Sequence, residues 1–299
     1  MRRLLPLLVL TGAAPLQGQS LDPRSYVNTP VGMNFLVAAY AYSTGSVLFD
    51  PTVPITNGDL TVNGPLVGVA RALDYWGLSG KADMGTGFVC LDGQGESNGV
   101  VHYRNICGMS DPVVRLSVNF LGAPALRLPA FAAYRQNVLV GASLRVGMPL
   151  GQYDPSKLAN IGTNRWSFKP EVGVSKALGR LTLELLASAT FYTTNDDFFG
   201  GQVQQQAPLF SGQLNAVYTT RGGIWGALGW TLYGGGRFTV DGVESAERQQ
   251  NSRLGLTLVF PISRHNSLKA YASTGVSTRT GSDFDAFGLG WQYRWGGGP

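Results

Sequence analysis

From Arg180 to Tyr192 the chain alternates: Leu181, Leu183, Leu185, Ala187, Ala189 and Phe191 are apolar, while Thr182, Glu184, Ser188 and Thr190 between them are polar. Successive strand side chains point to opposite faces, so a period of two reads as a strand with one apolar and one polar face. The same alternation runs through Asp111–Gly122, where Val114, Leu116, Val118 and Phe120 oppose Arg115, Ser117 and Asn119. It returns in Asn137–Met148, in Leu268–Arg279, and in Phe284–Trp295, where Phe287, Leu289, Trp291, Tyr293 and Trp295 share a face. Less clean stretches at about 32–43, 65–75, 80–91, 165–176, 208–220, 223–235 and 251–261 bring the expected strands to twelve.

The connections between these strands decide what the sheet can be. Short turns near 177–179, 220–222 and 261–266 alternate with longer polar segments near 149–164, 193–207 and 236–250, and 92–110 and 44–60 continue the parity. Outer-membrane barrels show this asymmetry, with an even strand number and both termini on the periplasmic side. Strands of about ten tilted residues cross the hydrocarbon layer, and closure leaves no lipid-exposed backbone edge. Composition agrees, since only 14% of residues are charged and 41 of 299 are Gly, whereas ordinary chains carry about 25% charge and about 7% Gly. So little charge with 11% aromatics rules out disorder. The glycines lack a period of three, which rules out collagen, and no apolar run is long enough for a transmembrane helix. Trp76, Trp166, Phe191, Tyr192, Tyr218, Trp291, Tyr293 and Trp295 fall near strand ends, where aromatic girdles sit. The fold expected is an all-β, transmembrane antiparallel up-and-down barrel of about twelve strands.

Arg2 and Arg3, the apolar run Leu4–Leu10 and the small residues Gly12, Ala13, Ala14 and Gly18 have the layout of a secretory signal peptide. Residues 1–18 are therefore read as the signal and 19–299 as the barrel. Losing Arg2 and Arg3 lowers the formal charge from +5 to +3, and no basic stripe with interleaved aromatics suggests nucleic acid. The stretch between the signal and the first strand leaves no room for a plug domain. Cys90 and Cys107 flank a polar, Gly-rich stretch that reads as a loop. In an exported chain a disulfide closing that loop is expected, with two unpaired thiols as the alternative.

With the apolar face on lipid, the other face lines the lumen. It carries Arg115, Arg145, Arg165, Lys169, Glu171, Glu184, Arg253, Lys269, Arg279, Asp285 and Arg294, a basic excess that would enrich anions in a water-filled pore. Arg145, Arg165, Lys169, Arg253 and Arg279 are the residues expected to set selectivity. The competing reading is that these charges pair across strands, for instance Lys169 or Arg165 with Glu184, and hold a filled barrel together. A lipid hydrolase would need an activated nucleophile beside a base, and the parity sends His102 and His265 to opposite ends. No catalytic residues are expected. Two Cys with His102 are too few for a zinc site, Asp196–Asp197 reads as a solvated turn, and no cofactor or metal is expected.

Several long blocks also look familiar: DPRSYVNTPVGMNF (Asp22–Phe35), DPVVRLSVNFLGAPAL (Asp111–Leu126), GQYDPSKLANIGTNRWSFKPEVGVSKAL (Gly151–Leu178), TNDDFFGG (Thr194–Gly201) and GVSTRTGSDFDAFGLGWQYRW (Gly275–Trp295). They resemble the family of outer-membrane transporters named for the MetA pathway of phenol degradation, over nearly the whole mature chain. The resemblance implies an outer-membrane barrel that admits small aromatic or hydrophobic molecules, and it brings no catalytic or binding residues with it. The partners it implies are outer-membrane lipid, a small solute and the barrel assembly machinery. One departure is the end of the chain: Trp295 is followed by Gly296, Gly297, Gly298 and Pro299, whereas barrels commonly finish on an aromatic residue. A non-conducting structural or surface-adhesion barrel remains the second reading.

Overall fold

The computed structural model describes residues 23–46, 56–97, 100–245, 248–278 and 283–297. The proposed signal (1–18), Arg279 and most of the 44–60 connection lie outside these residues. Twelve long strands follow the alternation in the sequence: β1 (Met33–Ser46), β2 (Thr56–Tyr75), β3 (Leu78–Ser97), β4 (Val113–Leu121), β5 (Val138–Gly147) and β6 (Ser167–Leu178). The circuit continues with β7 (Leu181–Tyr192), β8 (Leu209–Thr219), β9 (Trp225–Gly235), β10 (Gln249–Pro261), β11 (Asn266–Thr278) and β12 (Asp283–Gly296). Each pairs antiparallel with its neighbour in sequence, and β12 closes on β1 from Met33↔Gly296 to Ser46↔Asp283. Closure removes both sheet edges, so every strand has two hydrogen-bonded partners.

The alternation sets the two faces. On β7, Leu183 and Leu185 point outward and are exposed, while Glu184, Leu186 and Thr190 point inward and are buried. On β10, Leu254, Leu256, Leu258 and Phe260 face out, and Arg253, Thr257 and Val259 face in. Asp285 shares its parity with Phe287 and is exposed, so it belongs to the outer face and not to the lumen. Trp291, Tyr293 and Trp295 stack along the outside of β12 with centroids 6.1 and 5.7 Å apart, and Trp166 stacks on Phe168 near the other end of the barrel. Tyr192 departs from the expected girdle: adjacent to outward Phe191, it must point inward, where it lies beneath Arg165.

The end of the barrel where β1 begins and β12 ends, here the terminal end, has mostly tight connections. Trp76 (φ 54°) and Gly77 (φ 90°) make a two-residue hairpin turn between β2 and β3, because left-handed backbone at both positions matches the strand twist. The exception is 122–137, which carries a short helix, Leu128–Phe131, and hydrogen-bonds beneath this end through Ser79 N to Ala123 O and Ala125 N to Gly77 O.

At the opposite, loop end the long connections are more ordered than the sequence suggests. The polar stretch after Cys90 is a hairpin and not a loop: β3 runs on to Ser97, and Val100–Met109 returns alongside it from Ser97↔Val100 to Phe88↔Met109. The return strand is exposed along most of its length, so no burial alternation marks it, while Val89 and Leu91 on β3 are buried. Asn195–Phe198, Gln202–Gln206, Phe238–Val240 and Val243–Glu244 likewise form a second, four-stranded sheet. Cys90 and Cys107 are opposite one another in the hairpin and form a disulfide, S–S 2.00 Å. Because β3 pairs with β4 only as far as Gly85, this bond braces the ribbon beyond the wall. Replacing both cysteines with Ser should leave the barrel resistant to detergent denaturation while limited proteolysis begins cutting inside 90–107; an unchanged digest would show the ladder alone holds the hairpin.

Candidate functional site: the barrel lumen

The sequence leaves no room for a plug domain, yet the first described residues lie inside the barrel as a short plug, in line with the competing reading of a filled lumen. Arg24, Ser25, Tyr26, Val27, Asn28 and Thr29 are all buried. The Tyr26 hydroxyl donates to Glu171 Oε1 at 3.1 Å and lies 3.2 Å from Ser143 Oγ. Its ring occupies space left by two glycines, since a Cβ at Gly141 or Gly173 would meet ring atoms at 2.5 or 2.3 Å. Arg24 N donates to Glu184 Oε2 at 2.8 Å, the same oxygen that accepts from Asn215 Nδ2 at 3.0 Å. Lys81 Nζ donates to Ser25 O, and the Arg24 guanidinium lies 5.1 Å over the Trp225 ring. Six residues suffice as a plug because they need no fold of their own; the wall supplies the partners.

Around this plug the lumen has two unlike arcs. Asp83, Arg115, Arg145 and Lys169 are in register across β3 to β6 at inward positions. Arg115 Nε donates to Asp83 Oδ2 at 2.9 Å, and Lys169 Nζ sits 3.7 Å from Glu171 Oε2. The expected cross-strand pairing of Lys169 or Arg165 with Glu184 is absent, because Arg24 and Asn215 hold that carboxylate. Arg253 is 1% exposed, with Nη2 donating to Ser273 Oγ at 3.0 Å and its guanidinium 3.6 Å over Phe284. Lys269 is inward beside Tyr271, 5.9 Å from the ring centre. Arg294 also has inward parity, but its Nε donates to Arg264 O at 2.7 Å and ties down the 262–265 turn at the terminal end.

The second arc is apolar. Leu66, Val89, Leu91 and Ile161 form a buried cluster with Ala39, Ala41, Leu60, Val62, Ile106 and Ala159 packed against it, and Phe35, Val37, Ala70 and Ala72 continue it toward the terminal end. The inner faces of β1 to β3 thus lack the charge found on β4 to β6, apart from Lys81 and Asp83. The sequence carried a signal for this: MNFLVAAYAY and LVGVARAL are apolar at both parities, which blurs alternation wherever lumen and exterior are both greasy.

The loop end is roofed by 148–166. Ile161 inserts into the apolar cluster, Arg104 Nε donates to Ala159 O at 3.2 Å, and Asp111 gathers Gly151 N, Thr163 N and Thr163 Oγ1 at 2.7–2.9 Å. Arg165 lies at its edge, its guanidinium 4.5 Å over Tyr192 and 5.7 Å from Phe238, with Nη2 donating to Gln206 Oε1. Burial lowers the Arg165 and Arg24 guanidinium groups each to about 10, opposed at Arg24 by Glu184, so both remain cationic at neutral pH. His102 lies in the hairpin at the loop end, and His265 in the terminal-end turn, its Nδ1 3.0 Å from Arg294 O.

Among solved structures, an outer membrane channel from Pseudomonas putida F1 superposes with a TM-score of 0.78 at 20% identity, covering 92% of this chain and 100% of that one. The β domain of the Bordetella autotransporter BrkA gives 0.53 at 14% identity, covering 88% and 100%, and the translocator domain of NalP from Neisseria meningitidis gives 0.50 at 10%, covering 90% and 91%. These likenesses place the twelve-stranded barrel among outer-membrane barrel folds. Comparison with curated protein sequences finds no match. The family described as "Putative MetA-pathway of phenol degradation" matches residues 16–294, and the chain belongs to it.

Proposed function

We propose that this protein is an outer-membrane channel that passively admits small aromatic or hydrophobic solutes, such as phenolics or aromatic acids. Residues 1–18 direct export and are removed, both termini face the periplasm, and the barrel is delivered by the assembly machinery into outer-membrane lipid. The observation that carries this reading is the divided lumen. Its apolar arc on β1 to β3 suits a ring, and the inward Arg145 and Arg253 suit an anion or hydroxyl. Family membership and the channel fold support it. No chemistry is assigned to the barrel: His102 and His265 are at opposite ends, so neither can serve the other as a base in one site.

Planar-bilayer recording tests the reading. Step currents with anion preference are expected, and replacing Arg145 and Arg253 together with Gln should shift the reversal potential toward zero selectivity. Absence of current at any salt, together with liposome uptake of benzoate no faster than in empty vesicles, would reject it. The seated plug favours one alternative, a non-conducting structural or surface-adhesion barrel, and that negative result is the one it requires.

A further inference from the structure

Among the basic residues of the lumen, two sets differ in how their charge is met. Arg115 has Asp83 and Lys169 has Glu171 as carboxylate partners. Arg165, Arg253 and Arg24 have none within ion-pair distance among the described residues, and each lies on an aromatic face instead: Arg165 on Tyr192 and Phe238, Arg253 on Phe284, Arg24 on Trp225. All three are buried, and each keeps guanidinium nitrogens without an acceptor: Nε and Nη1 of Arg165, Nε and Nη1 of Arg253, and Nη1 of Arg24.

We propose that these three guanidinium–aromatic pairs form a stepwise capture path for aromatic carboxylates through the lumen. The inference rests on the channel reading above and names the ligand group that its basic arc selects. Topology orders the steps. Arg165 precedes β6 at the loop end, Arg253 is the fifth residue of β10 counted from that end, and Trp225, which carries Arg24, opens β9 at the terminal end. A ring beneath a guanidinium fixes its plane but accepts none of its in-plane N–H groups, so the fork stays directed at an incoming acceptor. Stripped of water with unspent donors, such a cation is costly to hold. A carboxylate supplies both the counter-charge and the acceptors through charge-assisted bonds. The protein rings beside each fork, and the apolar arc beyond, give the ligand's own ring a place that chloride or acetate cannot use. Arg115 and Lys169, already neutralised, are the structural charges; the stacked arginines are the ones left for a solute.

The test is calorimetric titration of the full chain in detergent micelles with benzoate, with acetate and phenol as controls. Benzoate is expected to bind more tightly than either control. Arg253→Gln should weaken benzoate roughly tenfold, the loss of one hydrogen bond to a charged partner, and Arg253→Lys should fail to restore it because the fork is gone. Phe284→Leu should weaken benzoate while leaving acetate unchanged, and this variant keeps the question open to measurement if Arg253→Gln does not fold. The proposal is overturned if benzoate binds no better than acetate, or if folded Arg253→Gln and Phe284→Leu both bind it as wild type does. Binding without bilayer current would reject conduction and leave the capture sites standing. Current without benzoate binding would do the reverse.

Discussion

Deleting Pro23–Thr29 should raise single-channel conductance several-fold while leaving the barrel folded. No strand pairing uses these residues, since β1 begins at Met33, and the twelve-strand circuit closes through Met33↔Gly296 without them. What they do occupy is the middle of the lumen. Tyr26, 4% exposed, bridges β5 and β6 through Ser143 and Glu171, and Arg24 reaches β7 at Glu184 and β9 at Trp225. The contacts that would be lost are a few hydrogen bonds and one cation–π pair, each worth on the order of 1 kcal/mol when its partners can return to water, and the burial of Tyr26 and Val27, about 1.5–3 kcal/mol per side chain. A deletion should therefore cost far less than the whole stability of the barrel, and heat-modifiable migration in gels should persist. Gly173→Val offers a second route, because even a Cβ there would meet the Tyr26 ring at 2.3 Å and must displace it. If both variants conduct as wild type does, the 148–166 roof and not the plug is the limiting constriction.

The plug was illegible in the sequence for a definite reason. Arg24-Ser25-Tyr26-Val27-Asn28-Thr29 has no period and no secondary structure of its own; its destination is set by Glu171, Glu184 and Lys81, more than fifty residues away. Strands, by contrast, announce themselves locally, five by clean alternation and seven by less regular stretches, even where β2 and β3 begin or end well beyond the expected limits. The hairpin of 86–109 escaped because its return strand, Val100–Met109, is exposed along most of its length, and the apolar arc escaped because β1 and β2 are greasy on both faces. Arg115, Arg145, Lys169, Glu184 and Arg253 have the parity of the buried positions on their strands. Parity alone could not say which had carboxylate partners. Asp83, which neutralises Arg115, sits in one of the blurred strands, and the aromatic partners of Arg165 and Arg253 come from β7, β12 and the small second sheet.

Leu256→Arg should destabilise the barrel by roughly 2–4 kcal/mol when it is refolded into bilayers, the cost of a charge at the lipid midplane. Leu256 lies near the middle of β10, points outward and is 47% exposed, in register with Leu228 on β9 and Ala272 on β11. In a water-soluble sheet the same change would be neutral, since an exposed Leu gains nothing from water and an Arg there is well solvated. The sign of the effect thus reports which solvent the outer face meets. Depth gives an internal control: Ile262, one residue beyond the terminal end of β10, is more exposed than Leu256, and Ile262→Arg should cost only about 0–1 kcal/mol because interfacial charges are tolerated. A urea titration of both variants in the same lipid measures the pair. Equal midpoints would remove the lipid-facing role of Leu256, and with it the inside-out assignment on which every lumen residue depends. A large loss at Leu256 with little at Ile262 would fix the membrane's position along β10. Arg253, three residues from Leu256 toward the loop end and facing inward, would then lie within the span of the bilayer.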